Sequence, residues 1–462
     1  MKLQGWILLV LSFFIDDNFI QAQNWTSAGC GFNSGVNTLY SDSINNILYA
    51  CGYFQITECD SIVVRRISQF NGVKWDSVGS GFVNPSGPMS AMTNYNGKFY
   101  ACPIAYNAFT DLVTMGEWNG SNWIPFATTP GSVFNLKVLD NELYAMGTFD
   151  SIGGISAQYI AKWNGNEWID LYFGDYETGG GYGIWDAIIY QGELYVGGLF
   201  RDSIDAVNIA KWDGTKWVTV GDGLGKGSII GVYTLEVYHD ELYAGGEFNK
   251  ANGNPANYIA RWDGNQWHEV GGGVSGVLYP SVLDMEVYHD YLYAGGKFKN
   301  AGGVPSELVA RWDGNEWCSL ETDFPEDNYV SALTVHNDTL IIGGSFYWVD
   351  SINVHKVAKY IGGEDLGNCG AINSTFEIPQ QNISAHPNPF SQSVSISIPC
   401  SQDCSLELFN TLGQKASIKY SVSENESRTI FHIDRGNLPS GVYFFQIISE
   451  GDIIASGKLV AQ

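Results

Sequence analysis

Short runs of alternating apolar and polar residues, roughly four to eight long and closed by Gly, Asn or Asp, fill most of the chain and predict strands. The runs recur as a unit. Glu241 to Phe248 (ELYAGGEF) followed by Tyr258 to Trp267 (YIARWDGNQW) returns as Tyr291 to Phe298 and Leu308 to Trp317. The same unit is centred on Tyr49, Tyr100, Tyr144, Tyr195, Tyr243, Tyr293 and Ile341, at intervals of 44 to 51 residues. Each copy offers four strand-like runs, as in Val287 to His289, Leu292 to Ala294, Leu308 to Trp312 and Trp317 to Leu320. Seven copies of four strands predict an all-β chain folded as a seven-bladed β-propeller.

Turn chemistry predicts the pairing. Asn71-Gly72, Asn119-Gly120, Asn164-Gly165, Asp213-Gly214, Asp263-Gly264 and Asp313-Gly314 each stand between the third and fourth runs. A type I′ turn centred on these pairs sets Trp262 opposite Asn265 and Trp267 opposite Ala260. The residue facing each second Trp is then small: Ser68, Gly116, Ala161, Ala210, Ala260 or Ala310. Large rings over small partners are a packing solution, so the Trp pairs are expected to form core between stacked sheets. The seventh copy ends at Val357 to Gly363 without a second Trp strand, and Asn24 to Gly31 (NWTSAGCG) aligns with Gln266 to Gly273. The N-terminal strand is therefore expected to complete the last blade and remove an open edge.

Composition fits this picture. The 462 residues include 55 Gly, 15 Trp, 26 Tyr and 24 Phe, with only 16% charged residues, a profile of short strands and glycine turns. A formal net charge of -26 repels phosphate backbones and anionic lipid, so nucleic acid and membrane surfaces are not expected partners. Residues 1–22 read as a signal peptide: Lys2, an apolar stretch from Trp6 to Ile15, and Ala22 for cleavage. That stretch falls short of the roughly 18 apolar residues a spanning helix needs, and no other run reaches it. Export implies an oxidising compartment in which the eight cysteines can pair. Closure of the last blade brings Cys30 toward Cys369; Cys51 with Cys59, and Cys400 with Cys404, are local alternatives, and Cys318 is a competing partner.

Through the Gly-Gly after its second strand and its aromatic-turn-Trp hairpin, the repeat resembles the kelch and galactose-oxidase-like superfamily. Gly245 to Phe248 with Ile259 to Trp267 is similar to the repeat of cortical polarity-marker proteins. The likeness covers roughly residues 24 to 363 and implies fold more than function. Residues 364–382 (EDLGNCGAINSTFEIPQQN) lose the repeat and read as a linker between a propeller at 23–363 and a module at 383–462. In that module, short alternating strands predict a small β-sandwich. Pro387-Asn388-Pro389, Leu412-Gly413-Gln414, Leu438 to Tyr443 and Lys458 to Val460 resemble the type A C-terminal sorting domain of type IX secretion substrates. This implies a secreted or surface protein of a Bacteroidetes-type bacterium, with the type IX machinery as partner.

Candidate chemistry is sparse. The seven histidines fall at turns and strand starts and predict no metal site, and no phosphate loop, calcium loop or Gly-x-Ser-x-Gly elbow is present, so no cofactor is expected. Asp-Ser-Ile recurs, offering turn chemistry; it also resembles an O-glycosylation sequon of Bacteroidetes secreted proteins, with Ser43, Ser61, Ser151, Ser203 and Ser351 as acceptors. The long connections gather on one end of a propeller, where function collects. Tyr172, Asp175, Tyr176, Glu177, Tyr182 and Trp185 are expected to form a sugar- or peptide-binding wall there. The expected role is binding or adhesion to carbohydrate or protein; the alternative is a hydrolase or lyase using Asp175, Glu177 and Asp186.

Overall fold

A computed structural model describes residues 24–82, 87–105, 111–173, 183–201, 207–225, 231–320, 322–325, 328–362, 384–398, 404–410, 415–416, 418–425, 428–436, 438–449 and 452–462. The chain divides into two units, Met1–Ala371 and Ile372–Gln462.

In the first unit each sequence repeat folds into one four-stranded antiparallel sheet, and the described residues form seven such sheets. Repeat 5 is representative: Val232–Tyr238, Glu241–Gly246, Ile259–Trp262 and Trp267–Glu269, in that order. The first strands are Val36–Asp42, Met89–Tyr95, Val133–Leu139, Gly183–Tyr190, Val232–Tyr238, Ser281–Tyr288 and Val330–Val335. Each lies against the first strands of the sheets before and after it, and Val330–Val335 closes on Val36–Asp42. The result is a propeller-like ring with the first strands innermost.

The last sheet borrows its outer strand from the other end of the chain. Trp25–Ser27 pairs with Val357–Tyr360 in the register Trp25↔Tyr360, Thr26↔Lys359 and Ser27↔Ala358. Trp25 is fully buried, and its Nε1 donates to Thr322 Oγ1 at 2.9 Å. Asn24 adds a bond from Nδ2 to the Leu320 carbonyl at 3.0 Å. The strand expected to close the ring does so.

The turns differ from expectation. Positive φ at both central residues, the signature of type I′, falls between the first and second strands, as at His239 (49°) and Asp240 (60°) or His289 (45°) and Asp290 (62°). In the outer hairpin only the glycine is positive, as at Gly264 (95°), and the turn centres on Gly264-Asn265, the placement a type II′ turn gives to Gly. Asp263 remains outside the turn centre because its Oδ1 accepts from the Asn265 and Gln266 amides at 2.7 and 2.8 Å. Moving the turn centre by one residue moves the pairing by two: Trp262 faces Trp267 rather than Asn265, and Ala260 faces Glu269 rather than Trp267. Ring meets ring in all seven sheets, from Phe70–Trp75 at 5.0 Å to Trp163–Trp168 at 5.6 Å, with Trp25–Tyr360 closing the set at 5.0 Å. These rings do form core between sheets. Trp262 and Trp267 share one buried cluster with Tyr190, Ile209 and Val220 of the preceding repeat.

The cysteine pairing also differs. Cys30 is bonded to Cys59, with 5.3 Å between their Cα atoms, and not to Cys369. The chain leaving Trp25–Ser27 runs along the second-to-third-strand connection of repeat 1, where Phe32 bridges Thr57 and the Glu58 amide donates to the Gly31 carbonyl. That contact carries Cys30 to Cys59 and leaves Cys51 a buried free thiol, like Cys102. Cys318 and Cys404 are also disulfide-bonded; Cys369 and Cys400 lie outside the described residues.

The second unit has two antiparallel sheets. One runs Ser384–His386, Ser393–Ile398, Arg428–Asp434, Lys419–Asn425, and the other Cys404–Asn410, Gly441–Ser449, Asp452–Ala461. Val394, Ile396, Phe431 and Ile433 from the first share a core with Leu406, Leu408, Phe445, Ile447 and Leu459 from the second. Phe390 bridges Ala461, and Asn388 Oδ1 accepts from the Val460 amide at 2.8 Å, tying the start of this unit to its last strand. Tyr443 donates from its hydroxyl to the Pro439 carbonyl at 3.0 Å.

Candidate functional site

An inner strand has one ladder partner, so its other edge presents unpaired amides and carbonyls. Polar side chains of the neighbouring inner strand meet them. Thr38 Oγ1 donates to the Ser90 carbonyl (2.6 Å), Ser90 Oγ to that of Val133 (3.0 Å), and Ser331 Oγ to that of Val36 (2.6 Å). Asp186 Oδ2 accepts from the Leu235 amide (2.8 Å) and Asp284 Oδ2 from that of Leu333 (2.7 Å). The seven inner strands enclose a lumen of about 690 Å³.

Every inner strand carries a β-bulge at the same step, between Ile184 and Asp186 or Val232 and Thr234 for instance. A bulge re-aims a side chain. In three successive sheets the bulged residue is aromatic: Phe134, Trp185 and Tyr233. They form an arc, with ring centroids 6.2 Å apart for Phe134–Trp185 and 5.1 Å for Trp185–Tyr233. All three are half-buried and line the lumen near the ends of the strands that receive the long connections. Gly231 makes room for this: a Cβ there would stand 2.2 Å from the Trp185 ring. Tyr233 is fixed by its hydroxyl, which donates to Glu247 Oε2 at 2.8 Å.

Beyond the arc the lumen becomes charged. Lys137 Nζ lies 2.6 Å from Asp186 Oδ1, which also accepts from Asn135 Nδ2 (3.0 Å) and the Ala187 amide (2.9 Å). Burial works against the charge on Lys137, but the carboxyls of Asp186, Glu236 and Asp284 together outweigh it and hold its pKa above the ordinary value. Asp284, Glu236 and Glu286 line the same space. Burial pushes the Asp284 carboxyl up to about 7 and, helped by Glu236 and Asp284, that of Glu286 up to about 8. Glu236 is raised too, again by burial, against a bond from the Val237 amide.

Of the binding wall expected from sequence, Trp185 stands in the arc. Tyr172 is 65% exposed, away from the lumen lining, and Asp175, Tyr176, Glu177 and Tyr182 lie outside the described residues. The structure adds Phe134, Tyr233, Lys137, Glu236, Asp284 and Glu286. Their signal was positional: the first, second and fourth residues after the buried aliphatic that opens each inner strand share one lumen, so they are read across repeats. Among the Asp-Ser-Ile serines, Ser43, Ser61 and Ser351 are exposed, Ser151 donates to its neighbour Asp150 at 2.9 Å, and Ser203 lies outside the described residues. The turn histidines pair across sheets, His239 to Asp290 at 2.9 Å and His289 to Asp338 at 2.8 Å. Among the described residues no group of three His, Cys, Asp or Glu side chains is placed to hold a metal ion. No helix there is long and apolar enough to cross a membrane.

Residues 384–462 match the secretion system C-terminal sorting domain family. The protein is thus exported by type IX secretion, to the cell surface or the medium, in Bacteroidetes. Comparison with curated proteins found no match. Among solved structures the chain is similar to the GH74 enzyme of Niastella koreensis, at 12% identity over 82% of this chain and 59% of that one, with a TM-score of 0.45. It is also similar to Sqt1 of Saccharomyces cerevisiae, at 11% identity over 95% and 98% of the two chains, with a TM-score of 0.40. The chain spans about three fifths of the GH74 enzyme's length.

Proposed function

We propose that this protein is an exported binding or adhesion module for carbohydrate or protein. In this reading residues 23–363 are a seven-bladed, kelch-like β-propeller, 364–382 a linker, and 383–462 a small β-sandwich that serves as the sorting domain. The observation that supports binding is the aromatic arc of Phe134, Trp185 and Tyr233, half-buried at the lumen and held by three bulges. Rigid rings beside a cavity supply contact area at low entropic cost, as ligand sites do. A hydrolase or lyase needs two carboxyls free to face one cleft. Asp186 is engaged by Lys137, Asn135 and two backbone amides, which favours binding over catalysis there.

Screening the exported protein against glycan and protein ligands tests this. Trp185→Ala and Tyr233→Ala are expected to abolish the binding found. Undiminished binding by both variants, or turnover of a glycan, would overturn it. The exposed serines Ser43, Ser61 and Ser351 are proposed glycan acceptors, to be sought as glycopeptides by mass spectrometry.

A further inference from the structure

The lumen sets four carboxyls, Asp186, Glu236, Asp284 and Glu286, against one ammonium, that of Lys137. Three of the carboxyls are engaged: Asp186 by Lys137, Asp284 by the Leu333 and Met285 amides, and Glu236 by the Val237 amide. Glu286 has no hydrogen-bond or ion-pair partner among the described residues. It is half-buried, lines the open lumen and has the carboxyls of Glu236 and Asp284 for neighbours. A carboxyl so placed is costly to ionise unless a cation meets it. On the neighbouring strand Tyr233 lies three residues before Glu236, so the arc stands roughly 10 Å above the Glu layer at strand rise. Aromatic faces attract cations, and a chain-like stem of about that length joins the two layers.

We propose that the lumen binds an extended organic cation, its ammonium or guanidinium group against Glu286 and Glu236 and its stem against Trp185 and Tyr233. This rests on the binding reading above and names its ligand chemistry. The side chain of a basic peptide and an amino sugar both carry that chemistry. The acidic protein as a whole draws such ligands in.

The titratable groups around Glu286 are Glu236 from the preceding inner strand, Asp284 on its own, Tyr293 opposite it on the paired strand, and Lys137. The following inner strand brings Thr334, which is uncharged. Because burial makes Glu286 hold its proton near neutrality, seating a cation expels that proton, and affinity rises with pH.

Calorimetric titration of the exported protein uses two matched pairs of probes: arginine amide against citrulline amide, and glucosamine against N-acetylglucosamine. At least one cation is expected to bind about tenfold more tightly than its neutral counterpart, to release a proton, and to tighten from pH 6 to 8. Glu286→Gln is expected to remove that preference while the protein stays folded, with its melting temperature at pH 6 kept; Glu236→Gln weakens it. Equal binding of cation and neutral probe, no binding of either cation, or an unaltered Glu286→Gln overturns the proposal. If a neutral glycan or protein ligand binds through Trp185 while both cations fail, the binding reading stands and this one falls. Should both Glu variants misfold, the parent's proton release on cation binding decides.

Discussion

Trp267 Nε1 donates to the carbonyl of Val220, 3.0 Å away and 47 residues earlier in the chain. The equivalent ring does the same for Ala28, Val78, Leu171 and Val270 through Trp75, Trp123, Trp217 and Trp317. Trp168 breaks the series, its buried Nε1 without a partner. Trp267→Phe is therefore expected to cost about 1–3 kcal/mol, since it strands a buried carbonyl. Trp168→Phe loses the same ring volume but no such bond, so it should cost less than Trp267→Phe. Denaturant unfolding of the two variants side by side gives the comparison, and equal losses would refute it.

Reduction offers a second test. Peptide mapping without reductant should recover Cys30 joined to Cys59. Removing that bond is expected to cost about 3.6 kcal/mol on loop entropy for a separation of 29 residues. Cys51 and Cys102 should resist thiol reagents until the protein unfolds, because burial pushes the Cys51 thiol up to about 12 and that of Cys102 further still.

The expectations that succeeded and those that failed have separate physical roots. Asn24 to Gly31 was legible as the missing outer strand because the whole motif, Trp and glycines together, is repeated elsewhere. The outer turn was not: Asp263-Gly264 suits a type I′ turn as a dipeptide, but the Asp263 side chain caps the following amides and moves the centre one residue on. Cys30 was placed at the right seam and the wrong partner, because a connecting loop of repeat 1 reaches the seam too. Glu236 and Glu286 look like solvent-facing residues of alternating strands. Only the closing of seven inner edges around one space turns them inward.

Acidity should stabilise the ring. Asp284 and Glu286 hold their protons more tightly folded than unfolded, with pKa values raised to about 7 and about 8 from ordinary carboxyl values. The folded state thus binds more protons, and stability falls as pH rises from about 4 to about 8. Melting temperature is expected to decline across that window, and Glu286→Gln to flatten the decline near its upper end. A slope unchanged in the variant would count against it.

Export depends on the second unit. Deleting residues 384–462 is expected to leave a folded ring inside the cell envelope, detected by fractionation and protease shaving of intact cells. Truncated protein at the surface would contradict the sorting role.

The pairing of Trp25 with Tyr360 imposes an order on biogenesis. The strand that seals the ring emerges first and must wait, its partner edge not yet made, until the last repeat has followed. Throughout that interval Trp25 has no pocket and its strand no ladder partner, a sticky end open to the wrong companion. Closure is a clasp that snaps only on a finished chain. A product cut short before its last repeat remains an unlatched arc, recognisable to any quality control that detects a bare strand edge.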